Sequence, residues 1–257
     1  MSAGTARTVH VEQCMGTVFT LDIRDAGDWR EATADVVAWL HKVDRVFSTY
    51  RADSDISRLQ RGELAIADAD PDVAAVLDLC AEVQVQTRHW FSATYRGRID
   101  PTGLVKGWAI ERAGQMLRAH GARNHAVNGG GDLQLAGESA PGRPWTVGIA
   151  DPADGQRVLA TVSGRDLAVA TSGISERGAH LVDPFTGTCP TAYASATVVG
   201  PCLTLADSYA TAAFLMGADA LRWIATVDGY ELLLVAADGS CLTSRGWDAR
   251  GQDGVAA

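Results

Sequence analysis

Cysteine is scarce in this sequence, and its spacing builds no framework. The 257 residues contain five cysteines, an odd number, and no two of them form a CxxC pair. This disfavours both a scaffold held together by disulfides and a zinc site made from closely spaced cysteines. We expect five reduced thiols, as in a cytoplasmic protein.

Long apolar runs are missing as well. The longest runs, such as LLLVAA at 232–237, are far too short to span a bilayer. The first 16 residues hold neither the apolar segment of a signal peptide nor a lipidation cysteine after one. These absences predict a cytoplasmic protein without a membrane anchor.

Positive charge is in deficit. Lysine and arginine number 22 against 31 aspartates and glutamates, which gives a formal net charge of −9. This balance disfavours binding to the phosphate backbone of a nucleic acid, so no nucleic acid is expected as a partner.

The GxxxxGK[ST], HExxH and GxSxG motifs are also absent. The NGGGD stretch at 128–132 is not followed by a helix, as a dinucleotide fingerprint would be.

Linkers, repeats and low-complexity tracts are likewise missing. Apolar residues make up 47% of the chain, enough to bury a large core. We expect one domain over residues 1–257, and a division into two lobes near residue 125 stays open.

Helices are predicted early in the chain and strands later. Apolar residues recur every three or four positions over 28–47, Asp70-Pro71 opens a second helix, and a third covers 107–120. Strand patterns occur at VEQCMGTVFTLDIR, with an interruption at Gly16, and at HAVN, DLQLAG, PWTVGIA, RVLATVSG, DLAVATS, HLVDP and ASATVVG, and Asp238-Gly239 marks a hairpin. This order predicts an α+β fold with antiparallel or mixed strands in the middle and C-terminal parts.

One predicted helix carries an unusual polar pair. LADSYATAAF at 205–214 is typical of the first turns of a helix, with Thr204 as its cap. Asp207 and Thr211 are four residues apart and therefore share one helix face. The pair is either an ordinary first-turn arrangement or a set of hard ligands for a metal ion.

Two further stretches have both an ordinary and a chemical interpretation. IDPTGLVKGWAIERAG at 99–114 brings Asp100 and Lys106 to a helix start, which suits a phosphate, although a plain surface loop would look similar. HLVDPFTGTCP at 180–190 places His180 and Asp183 at the end of a predicted strand, where a histidine is either structural or catalytic.

Seven stretches follow one another in a specific order. They are MGT (15–17), STYRADSDISRL (48–59), DPTGLVKGWA (100–109), VNGGGD (127–132), ATSG (170–173), HLVDPFTG (180–187) and TVVGP with LADSYATA (197–212). In this order the sequence resembles the ApbE family of flavin transferases, from about residue 15 to residue 217.

The resemblance implies an ApbE-type α+β fold and a Mg²⁺-dependent reaction. FMN would pass from FAD to a Thr or Ser hydroxyl of an acceptor flavoprotein, and AMP would be released. Two alternatives stay open, namely a pyrophosphatase that hydrolyses FAD to FMN and AMP and a non-catalytic FAD-binding protein.

The resemblance also implies roles for individual residues. The metal would be bound by Asp207, Thr211 and the main-chain carbonyl of Gly103, all hard oxygen donors of the kind Mg²⁺ prefers. FAD would be contacted by Met15, Tyr50, Trp90, Phe91, Ser92, Asp100, Lys106 and Val182.

Some positions depart from the family pattern. Ser92 stands where the family segment usually has an aspartate, and Pro101 and Thr102 are unusual in the DPTGLVKG loop. The stretch at 174–179 is shorter than the hairpin of many relatives, which leaves the acceptor-binding surface open.

His180 is the candidate general base for the acceptor hydroxyl, since neutral imidazole is available at pH 7. Asp183 could orient it.

Overall fold

The computed structural model describes residues 7–95, 97–173 and 182–249. Within them, one antiparallel sheet has eight strands in the order β1-β2-β5-β6-β9-β10-β11-β12. Its strands are β1 (Thr8–Cys14), β2 (Thr17–Ile23), β5 (His125–Gly129), β6 (Asp132–Ala136), β9 (Leu167–Gly173), β10 (Tyr193–Gly200), β11 (Glu231–Ala236) and β12 (Cys241–Thr243). Two separate hairpins pair β3 (Thr94–Tyr95) with β4 (Arg98–Ile99) and β7 (Trp145–Ala150) with β8 (Val158–Gly164).

The helices differ in length and are spread along the whole described chain. They are α1 (Arg30–Phe47), α2 (Asp55–Gln60), α3 (Pro71–Gln86), α4 (Thr102–Ala119), α5 (Leu203–Met216) and α6 (Asp219–Ile224), with short 3₁₀ turns at Ile66–Asp68 and Trp247–Ala249. The mixture of helices with an antiparallel sheet confirms the predicted α+β class. None of the described helices is both long enough and apolar enough to cross a membrane.

The sheet buries apolar residues on both faces because side chains alternate along each strand. Val127 and Val198 belong to the cluster that packs with the helices, among them α4 and α5. Their neighbours Ala126 and Val199 belong to a second cluster, which includes Trp145 of the β7–β8 hairpin. The central strands are therefore enclosed between a helical layer and a β-ribbon.

The N-terminal pattern forms two strands rather than one interrupted strand. β1 and β2 pair in register from Thr8 opposite Ile23 to Cys14 opposite Thr17. Met15 and Gly16 make the turn between them with φ of 50° and 69°. Glycine adopts this left-handed backbone without strain, so the Gly16 interruption marks a hairpin.

The helix that contains Lys106 begins earlier than predicted. α4 starts at Thr102 and not at Gly107, so Lys106 lies in its second turn. The carboxylate of Asp100 accepts hydrogen bonds from the Thr102 N–H (3.1 Å) and from the Thr102 hydroxyl (2.6 Å). A polar side chain that accepts a hydrogen bond from the first N–H of a helix favours helix initiation at that residue. The prediction of the start at Gly107 used only the spacing of apolar residues, which does not include this bond.

The prediction of Thr204 as the cap of α5 is wrong. The helix begins at Leu203 and its N-cap is Cys202, so Asp207 lies in the second turn. The cap interaction comes from α4, because Glu111 accepts the Thr204 N–H at 3.1 Å.

The predicted HLVDP strand is also wrong for the part that the structure describes. Val182 and Asp183 lie in a loop that leads into a turn at 184–186. Asp183 Oδ1 accepts the N–H groups of Phe185 (2.7 Å) and Thr186 (3.2 Å), a local pattern that competes with strand pairing. His180 lies outside the described residues.

Candidate active site

Two adjoining clefts collect the candidate residues. Their volumes are about 490 Å³ and about 390 Å³. They share four lining residues, which are Thr49, Tyr50, Thr102 and Lys106. The larger cleft contains Met15 as well as Tyr50 and Lys106. The smaller cleft is lined by Tyr50, Trp90, Phe91, Ser92, Asp100, Gly103, Lys106, Val182, Asp207 and Thr211. The fold thus brings together all the candidate metal ligands and FAD contacts, whereas Asp183 lines neither cleft.

The three predicted metal ligands lie where α4 and α5 cross. Asp207 is 4% exposed, and its Oδ2 accepts the backbone N–H of Gly107 at 2.9 Å. One turn further along α5, the hydroxyls of Thr211 and Ser172 are 3.1 Å apart. The Gly103 carbonyl accepts the hydroxyl of Ser208 at 3.4 Å, which places it beside the same stretch of α5. A carboxylate, a hydroxyl and a carbonyl therefore meet in one cleft.

Gly107 permits this close crossing of the two helices. A β-carbon at Gly107 would lie 2.6 Å from the carbonyl oxygen of Leu203 and 2.8 Å from Cβ of Asp207. Real β-carbon contacts are not this short, so only glycine fits between the helices at this point. The glycine is needed here for space, since its φ is that of an ordinary helical residue.

Lys106 is held between two carboxylates. Its ammonium forms an ion pair with Asp132 Oδ2 and lies 3.8 Å from Asp207 Oδ1. The side chain of Asp132 is 1% exposed, and its other oxygen accepts the Thr171 N–H at 3.0 Å. Each oxygen of the buried Asp132 carboxylate thus has a partner, the Lys106 ammonium on one and the Thr171 N–H on the other. Asp132 therefore holds the ammonium in a defined position.

Asp132 was not among the residues selected from the sequence, although its motif was. Gly130 and Gly131 turn the chain from β5 to β6 with φ of 61° and 93°. Two of the three glycines therefore form the turn of a tight hairpin, and the first residue after the turn is the buried aspartate. An acidic residue directly after a glycine turn was the available signal, but its ion pair with Lys106 joins residues 26 apart in sequence.

Aromatic side chains line the mouth and wall of the smaller cleft. Tyr50 is 96% exposed, whereas Phe91 is buried beside Gly103. Trp90 packs edge to face against Phe185 with ring centroids 4.9 Å apart. Ser92 bonds within its own turn, since its hydroxyl donates to the Thr94 carbonyl at 2.9 Å. The mouth therefore offers flat apolar surface next to the polar floor.

The donor set suits a hard cation that also binds phosphate oxygens. Across residues 7–95, 97–173 and 182–249 no group of three or more His, Cys, Asp or Glu side chains could hold a metal ion. Asp207, Thr211 and Gly103 supply one carboxylate, one hydroxyl and one carbonyl. Mg²⁺ is commonly held by one or two carboxylates with water and substrate phosphates, so these residues fit it.

The protein belongs to the α+β class and has a polar cleft where α4 and α5 cross. Several solved structures share this fold. The ApbE protein of Thermotoga maritima superposes with a TM-score of 0.85 at 20% identity, covering 96% of this chain and 100% of that one. The flavinyl transferase ApbE of Pseudomonas stutzeri also gives a TM-score of 0.85 at 20% identity, covering 99% and 100%. The fold is therefore the ApbE fold.

The family assignment follows from the sequence match. The ApbE family model matches residues 15–98 and 95–234, and the chain belongs to the ApbE family. It is 34% identical over 158 residues to the FAD:protein FMN transferase of Treponema pallidum, which is 54% of this chain and 44% of that protein. For the enzyme of the same name from Vibrio cholerae the identity is 29% over 147 residues, covering 53% and 44%. The chain spans less than half the length of these curated relatives.

Proposed function

We propose that this protein is a Mg²⁺-dependent FAD:protein FMN transferase. It transfers FMN from FAD to a Thr or Ser hydroxyl of an acceptor flavoprotein and releases AMP. The family membership and the names of the relatives support the reaction class. The observation that carries the proposal is the meeting of Asp207, Thr211 and Gly103 beside the Lys106 ammonium, in a cleft with an aromatic mouth.

The metal would be held by Asp207 Oδ1, the Thr211 hydroxyl and the Gly103 carbonyl. When bound, Mg²⁺ supplies neutralisation of the charge on the phosphate oxygens. Asp207 Oδ2 is already fixed by the Gly107 N–H, so the carboxylate is orientated before any ligand arrives. Such preorganisation is what phosphoryl transfer requires, because positioning and charge stabilisation do most of the work.

Lys106 would add a second positive charge to the pyrophosphate. Its side chain is 19% exposed and lines both clefts, while the ion pair with Asp132 holds the ammonium in place. The Asp132 carboxylate balances the lysine charge before the substrate binds, which lowers the cost of burying it. The pyrophosphate of FAD would then approach an ammonium whose place is fixed.

The acceptor hydroxyl needs a proton acceptor, because its pKa is far above 7. His180 is proposed for that role on sequence grounds, and Val182 of the same stretch lines the smaller cleft. AMP leaves as a stabilised phosphate anion and needs little help from an acid. Asp183 is engaged in its own turn through Oδ1, which gives no support to a role in orienting His180.

Mass spectrometry of a co-expressed flavoprotein tests the proposal. The acceptor should gain the mass of FMN minus water on one Thr or Ser in the presence of Mg²⁺. The matched control is Asp207→Ala, which removes the single carboxylate of the donor set and should abolish the gain. Release of free FMN and AMP without labelling of any acceptor would identify a pyrophosphatase instead, and intact FAD would identify a carrier.

A further inference from the structure

The N-terminus of α5 is capped by a side chain from the neighbouring helix. Glu111 of α4 accepts the Thr204 hydroxyl at 2.5 Å, the Thr204 N–H at 3.1 Å and the Cys202 thiol at 2.9 Å, all through Oε2. In the described part of the chain, the N-cap residue Cys202 contributes no side-chain capping bond of its own. A carboxylate at this end also interacts favourably with the helix dipole.

Glu111 is the third step of a ladder between the antiparallel helices α4 and α5. The first step joins Gly103 to Ser208, and the second joins Gly107 to Asp207. Glu111 follows Gly107 by four residues and meets Thr204. Positions four apart on a helix lie on one face, so the three contacts follow a single seam.

The first two steps of this seam use only backbone atoms of α4, whereas the third uses a side chain of α4. Gly103 and Gly107 meet α5 through backbone groups and lack side chains that could interlock. Glu111 accepts three hydrogen bonds on one carboxylate oxygen from Thr204 and Cys202 at the start of α5, and hydrogen bonds to a charged group are directional. A shift of α5 by one helical turn, about 5.4 Å, would break all three bonds.

We propose that Glu111 is a positioning residue for the metal site, an inference that rests on the proposed function. Its carboxylate sets the register of α5 against α4. That register decides whether the Gly103 carbonyl lies beside the Asp207 and Thr211 oxygens. Glu111 itself does not line either of the two clefts and so touches neither metal nor flavin.

Metal binding without turnover tests the inference. Mn²⁺ serves as the probe and is titrated by electron paramagnetic resonance into the full chain, while FAD affinity is measured separately in EDTA by fluorescence. Glu111→Ala should weaken Mn²⁺ binding by about 10-fold or more, the usual effect of losing a residue that orients a ligand. FAD affinity in EDTA should stay within about 2-fold of the wild type, because the flavin clefts keep their walls.

Further variants separate positioning from simple stability. Glu111→Gln keeps an acceptor oxygen and should recover most of the Mn²⁺ affinity. Gln115→Ala removes the amide that donates to Glu111 Oε1 at 3.2 Å and accepts from Arg112 at 3.2 Å, but leaves the three bonds to Glu111 Oε2 in place. It serves as the matched control and should keep wild-type affinity. If Glu111→Ala fails to fold, Thr204→Val removes one donor to the same oxygen and should weaken Mn²⁺ binding in the same direction.

Two results would overturn the inference in different ways. A Glu111→Ala protein that melts at lower temperature yet binds Mn²⁺ like the wild type would make Glu111 a stability residue only. An Asp207→Ala protein that binds Mn²⁺ like the wild type would remove the metal site itself, and the proposed function would fail with it.

Discussion

Replacement of Gly107 by alanine tests how closely α4 and α5 must approach. The new methyl would lie 2.6 Å from the Leu203 carbonyl oxygen, 2.8 Å from Asp207 Cβ and 3.2 Å from Asp207 Oδ2. The Leu203 oxygen is a backbone atom and the Asp207 Cβ is attached directly to the backbone. Neither atom can therefore move away by a change of side-chain rotamer. The helices must separate, and the Gly107 N–H bond to Asp207 must lengthen.

Two opposing effects set the size of the change. Alanine in a helix interior gains about 1 kcal/mol over glycine in intrinsic propensity. Overpacking at a tight contact costs about 1–3 kcal/mol, and loss of a hydrogen bond to a charged group costs about 1.5–3 kcal/mol. The net destabilisation is therefore about 1.5–5 kcal/mol, which lowers the melting temperature of a domain of this size by about 3–20 °C.

Differential scanning calorimetry and the Mn²⁺ titration measure the two consequences. The control is Gly114→Ala in the same helix, where the methyl would meet only side-chain atoms, at 3.3 Å from His125 Nε2 and 3.6 Å from Gln134 Cγ. We expect Gly107→Ala to melt lower than Gly114→Ala and to bind Mn²⁺ more weakly. A Gly107→Ala protein as stable as the control, with wild-type Mn²⁺ affinity, would refute the close-packing argument.

Three other substitutions give independent tests. Asp132→Asn should remove the ion pair that fixes the Lys106 ammonium and raise the KM for FAD about 10-fold in steady-state transfer, since a charge-assisted bond is worth about 1.5–3 kcal/mol. An unchanged KM would count against this role of Asp132. His180→Ala should bind FAD nearly as well as the wild type but transfer FMN about 10²–10⁴-fold more slowly in single turnovers, and lost affinity with a preserved rate would remove it as the base. Burial lowers the pKa of His125 below its ordinary value of about 6.5, because desolvation disfavours the imidazolium. The unfolded chain thus binds more protons below that pH, so the melting temperature should fall as the pH drops from 7 to 5, and His125→Gln should fall less.

Local signals in the sequence were enough to predict those helices and hairpins whose ends are marked by capping or turn residues. Asp70 caps α3 by accepting the Asp72 N–H at 3.0 Å, with Pro71 in the first helical position as predicted. The Asp238-Gly239 pair lies between β11 and β12 as an antiparallel hairpin. These features depend on residues a few positions apart, which is why periodicity and turn chemistry predict them.

The same reasoning located the polar pair on α5. Asp207 and Thr211 share a face because any helix brings positions i and i+4 together. The spacing alone favoured an ordinary helix start over a metal site. Only the position of the Gly103 carbonyl and of Lys106 against that face supplies the remaining members of the site, and both belong to another helix.

Tertiary structure decided everything that joins distant segments. Thr204 looked like a cap because helix starts favour such residues, yet the capping oxygen comes from Glu111, 93 residues earlier. Asp132 meets Lys106 only because a two-glycine turn returns the chain beside α4. Contacts of this kind depend on which faces of the helices and strands pack against each other in the core. The spacing of residues within one helix or strand does not determine that packing. The sequence thus determined the elements and the ligand types, and the packing of α4 on α5 determined the site.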